Sequence, residues 1–297
     1  MNDPNFVQFK KERDLGAMIT DTFKFFRLEW KPFFTSIIKV AIIPIIIAIV
    51  AVIFYTSSFS SFFEGFAYGS YNAYGDEPEI ENIGIFVFAL LAFIIAYLIA
   101  YALVTVSSLS YIKSYIENTG LVNFEDVGAS TKENFWSYVG LLFLNGLIVG
   151  VGFLLCVIPG IYLFVPLALS GSLLIFEKRS VGDVIGESFS LVKGHWWETF
   201  GILIVIQLII GVLGALTDIP ATIYQFIQIG VGIGNEDPTA MMEIFSDPIY
   251  LILIGVSYFF KFLLYIVSLV ATVLIYFDIN EQKNALGSID MIDRLGN

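Results

Sequence analysis

The stretch IGIFVFALLAFIIAYLIAYALVTVSSLSY, Ile83–Tyr111, runs for 29 residues without one charged side chain. About 20 apolar residues carry an α-helix across a bilayer, so this segment crosses with length to spare. Five more apolar stretches lie on either side of it, at Phe33–Tyr55, Trp136–Ile158, Ile161–Phe176, Thr199–Leu216 and Ile249–Phe277. The alternating ten-residue strands of an outer-membrane barrel are absent. The fold expected is all-α: a polytopic membrane bundle of six transmembrane helices, forming a single integral membrane domain over residues 1–297.

Composition agrees with that reading. Hydrophobic residues make up 57% of the chain and charged residues 14%, with a mean hydropathy of +0.83. A soluble domain carries about one quarter charged residues. The first 31 residues hold six basic residues and no apolar run. No cleavable signal peptide is therefore expected, and the first span directs insertion itself. The loops after spans one, three and five contain no Lys or Arg, although the chain has 15. By the positive-inside rule the termini and the basic loops face the cytoplasm. The two long outer loops carry Glu64, Asp76, Glu77, Glu79 and Glu81, then Asp218, Glu236, Asp237, Glu243 and Asp247. The run from Asp76 to Glu81 reads either as a solvated loop or as an attractor of cations or basic partners.

One pattern recurs before spans one, three and five: Leu15-Gly16 … Asp21-Thr22-Phe23, Val127-Gly128 … Glu133-Asn134-Phe135, and Val181-Gly182 … Glu187-Ser188-Phe189. The first and third copies also share Trp30 and Trp196, each seven residues beyond the Phe. Read as a repeat, the chain comprises three units, 15–111, 127–176 and 181–277, each an amphipathic interfacial helix followed by a hairpin. Phe23, Trp30, Phe135, Phe189, Trp196 and Trp197 are then candidate interfacial anchors. All three units run in the same orientation, unlike the inverted repeats of many secondary transporters. The middle hairpin is expected to turn at Ile158-Pro159-Gly160. Gly146-Leu-Ile-Val-Gly150 offers a small-xxx-small face, for packing within the chain or against a second copy. Cys156, the one cysteine, is expected as a small filler within span three.

Lys261 is the one basic residue stranded at depth, where a cation costs about 2.5–3.5 kcal/mol on insertion scales. Tyr258, Lys261, Tyr265, Ser268 and Thr272 form a polar stripe along the last span, and Tyr97, Tyr101, Thr105 and Ser108 form another along span two. Polar stripes face protein or water, so these two are expected to look inward. The candidate intramembrane site is Lys261, Tyr258, Tyr265, Ser268, Tyr97 and Tyr101. It reads either as a polar path with Lys261 receiving an anion or as a hydrogen-bonded core in which Lys261 reaches the outer acidic loops or a tyrosine hydroxyl. Asn145 and Gln207 are expected to hydrogen-bond between helices, and Lys39 to snorkel.

Catalytic signatures are missing. A single histidine, His195, cannot build a multi-histidine metal centre. Gly230-Val-Gly232-Ile-Gly234 follows no strand and opens no βαβ unit, as a dinucleotide loop would require. No catalytic residue, cofactor or metal is expected.

The segment Ile158-Pro-Gly-Ile-Tyr-Leu-Phe-Val … Phe176-Glu177 … Phe189-Ser-Leu-Val-Lys193-Gly194-His-Trp-Trp197 … Phe200-Gly201 resembles a pattern in bacterial six-helix membrane proteins. That group includes the membrane domain attached to some glycerophosphoryl diester phosphodiesterases. The resemblance covers roughly residues 150–205. It implies a six-helix bundle in the bacterial inner membrane and no catalytic residues, since the phosphodiesterase chemistry of the fused proteins belongs to a separate soluble domain. The function expected is that of a non-catalytic scaffold or subunit of a membrane protein complex. The alternative is a transporter or lipid-handling protein whose polar path is lined by spans two and six. Expected partners are membrane lipids and other membrane or membrane-associated proteins, not nucleic acid.

Overall fold

The first helix starts at Leu15, capped by Asp14, whose carboxylate Oδ1 accepts the backbone N–H of Ala17 at 2.7 Å. In the computed structural model, which describes residues 6–69, 80–234 and 240–284, this helix does not stop at the membrane surface. It continues as one element, α1, from Leu15 to Gly69. There follow α2 (Ile80–Glu117), α3 (Phe124–Leu155), α4 (Val157–Ala168), α5 (Ser170–Glu177), α6 (Val181–Val192), α7 (Trp196–Gly234), the short α8 (Ala240–Glu243), a 3₁₀ turn at Ile244–Ser246, and α9 (Pro248–Asn284). No strand occurs among the described residues. Six helical stretches are long and apolar enough to cross a membrane: Leu15–Phe63, Ile83–Glu117, Phe124–Leu155, Val157–Glu177, Trp196–Val231 and Pro248–Asn284. The chain is an all-α, multi-pass integral membrane protein.

Two compact units share these helices. One comprises Met1–Ala41, Tyr101–Ile209 and Tyr265–Asn297; the other comprises Ile42–Ala100 and Ile210–Leu264. Every Lys and Arg except Lys261 falls in the first, while the ten outer acids fall in the second.

The core of the first unit is built from the returning helix of each hairpin. From Ala102 to Tyr115 almost every α2 residue is buried, as are Leu173, Leu174 and Ile175 of α5 and most of α9 from Ile266 to Glu281. Buried hydroxyls in α2 are satisfied within the helix: Ser107 and Ser108 donate to Leu103 O and Val104 O, each at 2.6 Å. Such back-bonding lets small polar residues line a helix–helix contact without orphaned donors. The chain before α1 is tied into this core. Phe9 is buried, the Val7 N–H donates to the Tyr115 hydroxyl at 3.0 Å, and the Arg13 N–H donates to Asp278 Oδ1 at 2.6 Å.

Several local expectations are corrected. The interfacial helix and the span are continuous in α1, which runs through Pro32 and Pro44, and in α3; only α6 is a separate helix. The middle hairpin turns at Cys156, not at Pro159-Gly160, and Cys156 is exposed and fully extended (φ −171°, ψ 156°). Pro159 and Gly160 sit instead in the first turn of α4, where a missing N–H leaves no hydrogen bond unmade. The close approach in this hairpin belongs to Gly152 and Gly160. A Cβ on Gly152 would lie 3.0 Å from Gly160 Cα, and one on Gly160 would lie 2.5 Å from the Phe153 ring. A Cβ on Gly146 or Gly150 would meet nothing within 4 Å, so among the described residues their small-xxx-small face is not used for packing.

The helix pair α4–α5 is jointed at Leu169, three residues after Pro166, where the Leu169 N–H bonds Pro166 O at 3.1 Å in a tightened turn. In α7, Gln207 pairs with Ser268 of α9, which places Trp196 near the level of Ile279 at 1.5 Å per residue. Trp196 stacks on Tyr162 (5.5 Å), while Glu177 accepts from the Tyr276 hydroxyl at 2.9 Å. Tyr162 and Glu177 thus both reach the same end of α9, so α4–α5 cannot run straight alongside it.

Candidate functional site

In the second unit, α7 continues through Asp218 and Pro220 to Gly234, past the point where a loop was expected. The triplet Gly230, Gly232 and Gly234 is therefore helical rather than a phosphate loop. Asp218 faces α9, where its Oδ1 lies 2.9 Å from Lys261 Nζ. The same oxygen accepts the Ser257 hydroxyl at 2.5 Å. The Thr217 and Ser257 hydroxyls are 3.1 Å apart, and Lys261 Nζ lies 5.0 Å above the Tyr258 ring. The charge at depth thus has a counter-ion, and the pair is held by one hydroxyl and one aromatic face. More than a third of each charged side chain is exposed (38% and 39%), so the pair is not sealed in protein.

The neighbouring aromatic members lie along the α2–α9 contact of this unit. The Phe93 ring meets Tyr258 edge-on at 6.1 Å, and Tyr97 lies 5.5 Å from Phe262. Gly255 lets α1 approach closely, since a Cβ there would stand 3.3 Å from Ile49 and Ile53 side-chain carbons. Of the outer acids, Asp76, Glu77, Glu79, Glu236 and Asp237 lie outside the described residues.

The other three candidates belong to the first unit. Tyr101 and Tyr265 stack at 4.3 Å. Thr105 Oγ1 lies 2.5 Å from the Tyr265 hydroxyl and donates to Tyr101 O at 2.8 Å. Tyr138 of α3 joins the same group. Ser268 is buried and accepts from Gln207 Nε2 at 3.4 Å. Asn145 Nδ2 donates to Ser170 Oγ at 2.8 Å. The stripes of α2 and α9 therefore face each other within each unit, and Asn145 and Gln207 are the interhelical hydrogen bonders their depth implied.

The interfacial anchors differ among themselves. Phe23, Trp30 and Trp197 are exposed, while Phe135, Phe189 and Trp196 are half-buried. Trp196 is held by Tyr162, by Phe200 at 5.0 Å and by Trp197 at 4.7 Å. Lys39 stands 5.6 Å from the Phe124 ring centre, and His195 Nδ1 is 3.3 Å from Glu198 Oε2.

Lys261 does reach one of the outer acids, Asp218, but that acid stands within a helix and not in a loop, because span five does not end at Leu216. The signal was present: apolar Ile219, Ile223, Phe226, Ile227 and Val231 continue at helical spacing beyond it. Comparison with protein-family models, with curated proteins and with solved structures finds no match for this chain.

Proposed function

We propose that this protein is a non-catalytic scaffold or subunit of a membrane protein complex in the bacterial inner membrane, with both termini in the cytoplasm. The observation that carries this reading is the Lys261–Asp218 pair. The one cation at depth holds α9 to α7 and is already matched by a carboxylate, so an incoming anion would have to displace Asp218. The hydroxyl pairs of the first unit tie helices together in the same way. What stays open is the outward surface: the unpacked Gly146–Gly150 face and the exposed Phe143, Leu147 and Val151 beside it on α3.

The test is a tagged purification in mild detergent, with mass spectrometry of everything that co-purifies. A stoichiometric protein partner is expected, and its loss on Gly146→Leu would place the contact on α3. A lone protein carrying only lipid would sink the scaffold reading. The second reading, a transporter or lipid-handling protein, draws its support from the exposure of Lys261 and Asp218. It requires that Lys261→Met abolish movement of a solute or lipid while the fold survives.

A further inference from the structure

A cleft of about 380 Å³ opens in the first unit where α2 and α5 end and α3 begins. That volume lies in the lower part of the range typical of small-molecule sites, about 300–1,000 Å³. Its position is set by the ends of apolar helices, the level at which lipid headgroups meet a membrane protein. We propose that this cleft binds a phosphate and an amine joined by a short link, the chemistry of a phosphoethanolamine group.

The walls carry both signs. Lys113 and Lys178 stand with Glu117, Asp126 and Glu133, and among the described residues none of these five has an ion-pair partner within 4 Å. Arg179 is the exception at the rim, engaged by Glu187 at 3.3 Å and Glu177 at 3.7 Å. Lys113 gives one of its three ammonium protons to Ile175 O at 2.6 Å, leaving two donors. Lys178 holds the left-handed conformation (φ 52°) at the end of α5, where Gly or Asn fits with less strain. Strain kept by a lysine in a cleft is the kind of outlier from which function is inferred. A free phosphate would meet three carboxylates here, and a simple cation would meet two ammoniums. A group bearing both charges satisfies both sets, and the Ser130 and Asn134 side chains beside them supply neutral hydrogen bonds. The group could arrive as a lipid headgroup or as free phosphoethanolamine, and the experiment separates the two. The inference stands apart from the scaffold reading and survives its failure.

The full chain is reconstituted in nanodiscs containing equal phosphoethanolamine, phosphocholine and phosphoglycerol lipids, and bound lipid is read by native mass spectrometry. In parallel, free O-phosphoethanolamine is titrated into lipid-free detergent samples while the melting temperature is followed. Lys178→Asn and Glu133→Gln are compared with the parent; both side chains are exposed, and Asn accepts the left-handed backbone. Retention of the ethanolamine lipid tenfold or more above the phosphoglycerol lipid, weakened about tenfold in each variant, supports the site with a lipid ligand. Stabilisation by the free compound without lipid preference, again lost in both variants, supports it with a soluble ligand. Equal retention of all three headgroups with no stabilisation, or binding unchanged in both variants, overturns it.

Discussion

Removing Asp218 leaves Lys261 unpaired, and the geometry fixes how much that costs. A fully buried pair broken on one side loses about 3–5 kcal/mol, whereas an exposed surface pair is worth about 0.2–1 kcal/mol. Here the contact is 2.9 Å, with a second hydrogen bond from Ser257, but more than a third of each side chain is exposed. An intermediate value follows: Asp218→Asn should destabilise by about 2–3 kcal/mol, close to the insertion cost of a lone cation at depth. Lys261→Met should cost less, about 1–2 kcal/mol, because Asp218 keeps the Ser257 hydroxyl. The double variant should lie within about 1 kcal/mol of the parent, since no charge is then left stranded. The coupling energy of the cycle is thus about 3 kcal/mol. The assay is denaturant unfolding in mild detergent, followed by far-ultraviolet circular dichroism, for the parent and the three variants. Single costs under about 0.5 kcal/mol that simply add would place the pair in free water and refute the structural role assigned to it.

Gly160→Ala should destabilise the middle hairpin by about 1–3 kcal/mol, because the new methyl meets the Phe153 ring. Gly146→Ala, facing open space, should change the melting temperature little and alter only the size of any complex. Tyr265→Phe should cost about 1 kcal/mol by removing the hydroxyl that bonds Thr105, readable as a lowered melting temperature. Replacing Phe23, Phe135 and Phe189 with Asp should shrink the complex in mild detergent more than it impairs insertion, and an unchanged complex size would count against the interfacial role.

What was legible in the sequence followed from apolar length and charge placement. Twenty-nine uncharged residues at Ile83–Tyr111 leave a membrane helix as the solution that satisfies every backbone group, and the spacing of Tyr258, Lys261 and Tyr265 fixes one helix face. Residues at depth were therefore read well: Asn145 and Gln207 bond across helices, and the two stripes meet. What was not legible depended on where helices end. Pro159-Gly160 is a strong punctuation signal, yet a proline in a first turn starts a helix as readily as it ends one. Sequence cannot say which side of the proline is helical. The same ambiguity hid the helical setting of Asp218, since an acid after nineteen uncharged residues reads as the start of a loop. The cleft at Lys113, Glu133 and Lys178 was invisible for another reason. Its members come from three elements, and no spacing rule joins positions twenty to sixty-five residues apart.

The first and third repeat segments share more than the motif that revealed them. Asp14 and Ser180, at matching positions, each cap their helix by accepting the N–H three residues on. Arg13 pairs with Asp21 at 2.8 Å, and its counterpart Arg179 pairs with Glu187, the counterpart of Asp21, at 3.3 Å. The same register is buried in both, with Met18 and Thr22 matching Val184 and Ser188. An arginine reaching from before a helix to an acid two turns in anchors its start against the incoming chain, so helix, cap and ion pair form one working unit. The middle segment departs from it: Glu125 stands where the arginine should be, and its cap is Asn123, whose side chain accepts from Glu125 N–H. Without a cation there, Glu133 has no ion-pair partner among the described residues. The acid that closes the helix start in the other two segments is instead presented to the cleft. The departure of the middle copy from the repeat is thus what frees a carboxylate for a ligand, and restoring the pair with Glu125→Arg should weaken phosphoethanolamine binding about as much as Glu133→Gln does.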